Sequence, residues 1–402
     1  MIPHSEKASR LDVERSYEST ADQFHPLDTH AHDKSSQTKD YLELQKWNYP
    51  KGNVPRLGFA FLSFIIAGMN DAAVGLEKYY DLNYTTAHIH LRWGQRGVAI
   101  LAPMCHVIAF TIVTIHPPFS ALVVLYGLSG FGNGLADAAY CAWVGAMDKS
   151  NQIQGFMHSC YSLGALCGPL ISTSMVVHSG LPWYSFFYVM VGISAVEWAG
   201  LMLTFWRKTG AVYRAENSAG GEDTGAGALY FFTYMGVEVG LGGWIVTFML
   251  RTRKATAFSS GVSGSGFWAG QTLGRVTLDF VTERYGERIC ITIYLAFAVA
   301  MQLIFWLVPS FMASAIAVVF LGVFLGPMFP GAITVTAKLL PKRIHVSAIG
   351  FAMSMGGTGG TIFPFIIGPL ASKYGVWAMQ PFILGLLIVI AATSFCFPRV
   401  SR

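Results

Sequence analysis

From Leu57 onward the chain alternates between long apolar stretches and short polar breaks. The apolar stretches run 57–75, 97–115, 119–147, 153–178, 182–206, 227–250, 260–280, 289–309, 311–337, 345–371 and 375–397. Each is close to the roughly 20 residues that a helix needs to cross a bilayer, so the pattern predicts eleven membrane-spanning helices. Residues 1–55 lack such a stretch and are rich in Ser, His, Asp and Lys, which predicts a disordered tail of cytoplasmic type with no secretory signal. His25, His30 and His32 have no ordered scaffold there, so no metal site is expected. The longest interior polar stretch, 207–226, contains Gly220, Gly221, Glu222 and Asp223 and reads as a flexible linker. It separates a five-helix bundle (56–206) from a six-helix bundle (227–402).

Composition agrees with lipid as the solvent. Hydrophobic residues make up 53% of the 402 positions and charged residues 12%, against roughly a quarter charged in ordinary soluble domains. The net charge of +5 lies on no Lys/Arg stripe interleaved with aromatics, which argues against nucleic acid as a partner. The six cysteines (Cys105, Cys141, Cys160, Cys167, Cys290, Cys396) form no Cys-x-x-Cys pair, so they read as small packing residues. No His-Glu-x-x-His or Gly-x-Ser-x-Gly motif is present, so no enzyme is expected.

Loop charge predicts the orientation. Lys149, Arg207, Lys208, Arg214, Arg284, Arg288, Lys338, Lys342, Arg343, Arg399 and Arg402 lie on one side, against Arg251, Arg253, Lys254 and Lys373 on the other. The richer side faces the cytoplasm, and Arg251 to Lys254 run against the rule. The expected location is therefore a multi-pass protein of the plasma membrane or an internal membrane.

The halves repeat. Arg92-Trp93-Gly94-Gln95-Arg96 recurs as Arg284-Tyr285-Gly286-Glu287-Arg288 at an offset of 192, Gly155-Phe156 as Gly350-Phe351 at 195, and Gly168-Pro169-Leu170 as Gly368-Pro369-Leu370 at 200. Glu238 precedes Gly286 by 48 residues, whereas Asp71 precedes Gly94 by only 23. The deficit of 25 is about one membrane-crossing helix. Since Leu76 to Arg96 is too polar to span, the pattern predicts a six-plus-six plan without its second helix.

The two Arg-aromatic-Gly turns resemble the signature loops of the major facilitator superfamily, the second more fully through Gly274, Asp279, Arg284, Gly286 and Arg288. The stretches GMNDAAVG, GFGNGLADAAYCAW, GVEVGLGGWIVTFM, GFWAGQTLGRV and KLLPKRIHVSAIGF are similar to fungal members related to the fucose/glucose–proton symporter branch. The resemblance covers residues 57–397. It implies an all-α membrane protein of two pseudo-symmetric bundles, working as a monomer by alternating access. The family's second helix and its terminal Asp have no counterpart here; only His88 and His90 lie nearby.

Ionisable groups within membrane spans are functional candidates by default. Here they are Asp71, His106, Asp137, His158, Glu197, Glu238, Arg275 and Asp279. A preponderance of carboxylates suits proton binding, because burial favours the protonated form. Asp71 follows Asn70, and Asp137 follows Asn133 by one helical turn, sharing its face. The resemblance places Asp71, Asp137 and Glu238 on cavity-lining helices, which makes them proton-coupling candidates, against the alternative of structural hydrogen bonds. Glu197 falls on a peripheral helix, where structural pairing is expected. Asn70, Asn133, Trp143, His158, Trp244 and Gln271 are substrate-binding candidates, with interhelical packing as the competing role. Arg92, Gly94, Arg96, Arg275, Asp279, Arg284, Gly286 and Arg288 form a candidate cytoplasmic gate in which arginines close on helix ends and on Asp279.

The expected function is proton-coupled movement of a small polar solute, such as a sugar, with the proton gradient in place of a cofactor. The alternatives are efflux of a hydrophobic metabolite, and a truncated splice or gene-model form that does not transport.

Overall fold

The computed structural model describes residues 46–73, 83–211, 225–340 and 345–395. The histidines of the tail and Cys396 lie outside these. Among the described residues the chain is helical throughout, without strands. The N-terminal half comprises α1 (Asn53–Ala73), α2 (Asn83–Val113), α3 (Phe119–Gly145), α4 (Ser150–Val177) and α5 (Ser185–Phe205). The C-terminal half comprises α6 (Gly225–Arg251), α7 (Ala257–Tyr285), α8 (Glu287–Leu307), α9 (Phe311–Leu325), α10 (Met328–Leu339), α11 (His345–Tyr374) and, after a short 3₁₀ turn, α12 (Met379–Phe395).

Among the described residues, nine helical stretches are long and apolar enough to cross a membrane, with α9 and α10 forming one of them. The other two spans, α1 and α7, carry buried polar residues (Ser63, Asn70; Gln271, Arg275, Asp279) that lower their apolar character. Outward faces carry large apolar side chains such as Leu203, Phe258 and Phe365, each more than three-quarters exposed. Apolar surface on that scale calls for lipid around it.

The repeat read from the landmarks is visible in the packing. In each half the first span lies against the penultimate one: α1 on α4, and α6 on α11. Both contacts are made by bare backbone. A methyl group on Gly68 would lie 1.9 Å from Tyr161 O, one on Gly164 2.1 Å from Ile65 O, and one on Gly359 1.8 Å from Phe232 O. Small residues let helices approach this closely where lipid offers no hydrophobic drive to associate.

One end of the molecule gathers the basic loops. Arg56 Nε at the start of α1 donates to Thr204 O at the end of α5 (2.9 Å), and Trp47 N donates to Asp148 Oδ1 between α3 and α4 (2.8 Å). Arg96 N donates to Lys208 O (3.0 Å), and Lys338 bonds to Glu287. The start of α1 and the Gly94 turn therefore lie at the same end, and Ala73 at the other. The chain returns between Ala73 and Gly94, through residues partly outside the described set and then the first turns of α2. Within the segment too polar to span, residues 83–93 are helical and join the span beyond through a kink at Gly94 (φ 70°, ψ −166°).

The basic cluster on the opposite side also has a cause. Arg253 donates to Ser314 Oγ (2.8 Å), Phe305 O (2.7 Å) and Trp306 O (3.0 Å), and its guanidinium lies over the Phe248 ring. It caps the carboxyl end of α8, where a cation satisfies terminal carbonyls and the helix dipole together. A capping arginine thus stands on the side that loop charge leaves poor in cations.

The α1–α4 contact yields a stability test. Gly68→Ala should lower the thermal midpoint by an amount equivalent to about 1–3 kcal/mol, the usual range for overpacking. Gly192→Ala, at an exposed helical site with open space around it, should leave the midpoint unchanged or raise it. Melting of the purified protein in detergent reads both.

Candidate functional site

The halves meet where α4 runs beside α7, and where α11 and α10 reach across to α3, α2 and α4. Arg275 on α7 lies in the middle of the first seam, 2% exposed. Its Nη2 donates to Glu238 Oε1 on α6 at 2.8 Å. Its Nη1 donates to His158 O on α4 at 3.0 Å and to Ser162 Oγ. Its Nε donates to Gly326 O at 3.2 Å. One guanidinium therefore ties together α7, α6, α4 of the other half, and the junction of α9 with α10.

That junction exists because of proline. Pro330 has no N–H, so the Gly326 carbonyl loses its helical donor, and Arg275 replaces it. Tyr234 Oη donates to Leu325 O (3.0 Å) and Tyr230 Oη to Met328 O (3.3 Å). Three side chains from α6 and α7 thus satisfy carbonyls at a helix break that would otherwise be costly in a dry interior. Phe329, beside the break, packs on Phe231 and Tyr234 and reaches the ring of His158 across the seam at 4.9 Å.

Toward the far end, Asp71 is held by three helices. Asn133 Nδ2 on α3 donates to its Oδ1 (3.1 Å), Tyr161 Oη on α4 to its Oδ2 (3.1 Å), and Asn70 Nδ2 to its Oδ1 (3.2 Å). Tyr161 in turn meets the edge of Trp268 on α7, with ring centroids 6.2 Å apart. Between Asp71 and Arg275 lies Gln271, fully buried, whose Oε1 accepts from Ser162 Oγ at 3.5 Å. A column of polar groups follows the seam inward from Asp71, through Tyr161, Ser162 and Gln271, to Arg275 and Glu238.

The remaining candidates fall outside this column or at its edge. Asp137 accepts a long contact from Cys141 Sγ at 3.9 Å, and Cys141 Sγ is 3.5 Å from His158 Nε2. The His158 ring is buried between Phe64 (5.1 Å) and Phe329. Trp143 is buried against Phe205 inside the N-terminal half, and Trp244 faces α11 near Gly368.

At the basic end, Gly94 and Gly286 both take the left-handed conformation that favours glycine (φ 70° and 96°). Arg92 is exposed, Arg96 lies over Trp206, and Arg284 over Tyr285. Arg288 is exposed on the first turn of α8. Both Asp279 carboxylate oxygens have no hydrogen-bond partner among the described residues. Asp279 instead fits against α4 where Gly155 leaves room; a methyl group there would lie 2.0 Å from Oδ2. Arg275, grouped with this gate in the sequence, sits a helical turn deeper and joins the central column.

The repeat makes an asymmetry plain. Gly155 and Gly350 are matched landmarks, but Gly350 on α11 faces Ala138 of α3 rather than a carboxylate. The α4–α7 seam carries Asp279 and Arg275, while on the other seam Gly145 of α3 is set close to the Ala337 Cβ of α10.

Sequence reasoning did not pair Glu238 with Arg275, and it did not see Tyr161 on Asp71 or Tyr230 and Tyr234 on the helix break. The signal for the first was present: an intramembrane arginine needs a counter-ion, and Gln271, Arg275 and Asp279 share one helix face at spacings of four.

The family profile described as Major Facilitator Superfamily matches residues 82–224 and 226–402. "Bypass of stop codon protein 6" of Saccharomyces cerevisiae is 28% identical over 384 residues, covering 78% of this chain and 76% of that protein. The "Glucose/mannose transporter GlcP" of Bacillus subtilis is 23% identical over 330 residues, covering 77% of each. Among solved structures, the transporter FucP in the outward conformation aligns with a TM-score of 0.64 at 12% identity, over 86% of this chain and 98% of that one. A bacterial homologue of the iron transporter ferroportin, in an outward-facing state, aligns at 0.66 and 10% identity over the same shares. These two likenesses concern the fold.

Removing one member of a buried ion pair typically costs about 3–5 kcal/mol, because the other charge is left without a partner. Arg275→Met and Glu238→Met should each lower the melting midpoint strongly. The double variant should lie above either single, giving a coupling that a double-mutant cycle measures. Additive losses would mean that the pair is not energetically joined.

Proposed function

Because the chain belongs to the major facilitator superfamily, we propose that it carries a small polar solute, of which a sugar is the first to test, through its central seam by alternating access coupled to protons. The observation that carries this reading is Asp71, a half-buried carboxylate held by α1, α3 and α4 at the outer end of the polar column. A half-buried carboxylate that accepts from neutral amide and hydroxyl donors can take a proton and a hydroxyl-bearing solute in turn. Deeper in, Arg275 pairs with Glu238 of its own half and ties it to the other half through His158 O and Ser162 Oγ. Similarity to a glucose/mannose transporter supports sugar as the first class to test.

A second reading has its own observation. In the C-terminal half the second span, α7, meets α4; by the repeat, α11 should meet a second span of the N-terminal half. It packs on α2 and α3 instead. A chain without that span, with α11 settled into its place, would be a form of transporter fold that does not transport.

Proteoliposomes under an inward proton gradient, offered radiolabelled glucose, mannose and related polyols, separate the two. The first reading expects gradient-driven uptake that falls at least tenfold in Asp71→Asn and declines in Asp137→Asn. Uptake only by a chain into which a relative's second span has been inserted establishes the second reading. Uptake that is unaffected by Asp71→Asn contradicts the role given to that carboxylate.

A further inference from the structure

Away from the seam, the N-terminal half buries a second pair of ionisable side chains. His106 on α2 and Glu197 on α5 are 1% and 0% exposed, with Nδ1 3.3 Å from Oε2. The imidazole stacks on Phe110, with centroids 5.9 Å apart and planes 16° from parallel. Its other nitrogen, Nε2, points at the backbone of α3, where a methyl group on Gly132 would lie 3.0 Å away.

The surroundings of the pair are polar but uncommitted. His106 Nε2 and Glu197 Oε1 have no hydrogen-bond partner among the described residues. The same holds for Ser129 Oγ, one turn before Gly132 on α3, and Ser194 Oγ, one turn before Glu197 on α5. A pair that served packing alone would leave few such atoms, because each buried polar group without a partner costs about 1–3 kcal/mol. Two such atoms in the pair itself, with a serine hydroxyl a turn away on each of α3 and α5, mark a place built to exchange hydrogen-bond partners. The titratable groups facing the pair are Cys105 from α2 and Tyr140 from α3. From α1, Ser63 adds only a hydroxyl near Tyr140.

The pair also adjoins the functional column. Gly132, against which His106 Nε2 is set, precedes Asn133, whose amide donates to Asp71 Oδ1 at 3.1 Å. One short stretch of α3 therefore touches both sites through adjacent residues.

We propose that His106 and Glu197 form a proton-binding site inside the N-terminal half, separate from Asp71 and linked to it through α3. In the loaded form one proton lies between the two side chains and the pair is neutral, the arrangement a dry interior favours. On release the proton passes to water as hydronium, leaving an imidazole beside a carboxylate with one net negative charge. Uptake reverses the step, and no electron moves. The site holds a proton whether or not the chain carries a solute.

The test is an infrared titration between pH 5 and 9 of the full chain in liposomes, with glutamate labelled by ¹³C at its side-chain carboxyl. The labelled carboxyl bands should change across this range. The change should vanish in Glu197→Gln, move by about one pH unit or more in His106→Gln, and persist in Asp71→Asn. Bands in Glu197→Gln identical to those of the parent overturn the proposal. So does a titration that His106→Gln leaves unmoved. If neither variant folds, the unsubstituted labelled chain still decides against the site when its glutamate bands do not change at all. Loss of uptake in Asp71→Asn with the Glu197 signal intact would concern transport alone and would support the separateness of the two sites.

Discussion

A guanidinium in the middle of a membrane protein cannot be left to water, so its partners determine how the helices around it stand. Arg275 finds them on four sides: a carboxylate on α6, a backbone carbonyl and a hydroxyl on α4, and a carbonyl at the α9–α10 break. Two of the four belong to the other half of the molecule. The break in turn depends on Pro330, which frees the Gly326 carbonyl that Arg275 takes. Move the guanidinium and the seam, the break and the Glu238 carboxylate all lose a partner together. That shared dependence is what makes the site a switch candidate rather than a local contact: either the whole set holds, or it must be exchanged for another.

The seams on either side of this pin are unlike. Along α4 and α7, contact is polar and specific, from Asn151 Nδ2 donating to Glu287 Oε1 (2.9 Å) at the basic end to Tyr161 on Trp268 farther out. On the other seam, Gly350 of α11 faces Ala138 and Gly145 faces Ala337 of α10 and Ile349 of α11, with no carboxylate at the position that the repeat would give one. Small-residue packing needs no counter-charge, whereas the Arg275 set holds only while each of its hydrogen-bond and ion-pair partners is in place.

Much of this was legible in the sequence because membrane helices advertise themselves by length and hydropathy. The apolar stretches 119–147 and 153–178 correspond to α3 (Phe119–Gly145) and α4 (Ser150–Val177). The matched landmarks anticipated the equivalence of α1–α4 with α6–α11. What hydropathy does not carry is the choice of partner. Arg275 sits near Asp279 in sequence and belongs to a gate motif, yet its ion pair is with Glu238, 37 residues away, because α6 and α7 bring those faces together. Asn133 and Asp137 share a helix face as expected, but only Asn133 reaches Asp71, since α1 crosses α3 at that turn. Arg253 looked anomalous under a rule about loop charge and is explained by a helix end that only the fold brings to it. The first turns of α2 are too polar to read as a span, yet they are helical.

The central claim is that Arg275, held in place by Glu238 of its own half, pins the two halves together in the middle of the α4–α7 seam. Spin labels at Lys149→Cys and Glu283→Cys, both exposed positions on opposite sides of the α4–α7 seam, report their separation directly in a chain whose native cysteines are replaced. Electron–electron double resonance in liposomes should give one dominant distance with Glu238 present, and a second, longer population when Glu238→Gln weakens the pin. A distance distribution unchanged by Glu238→Gln would contradict the account.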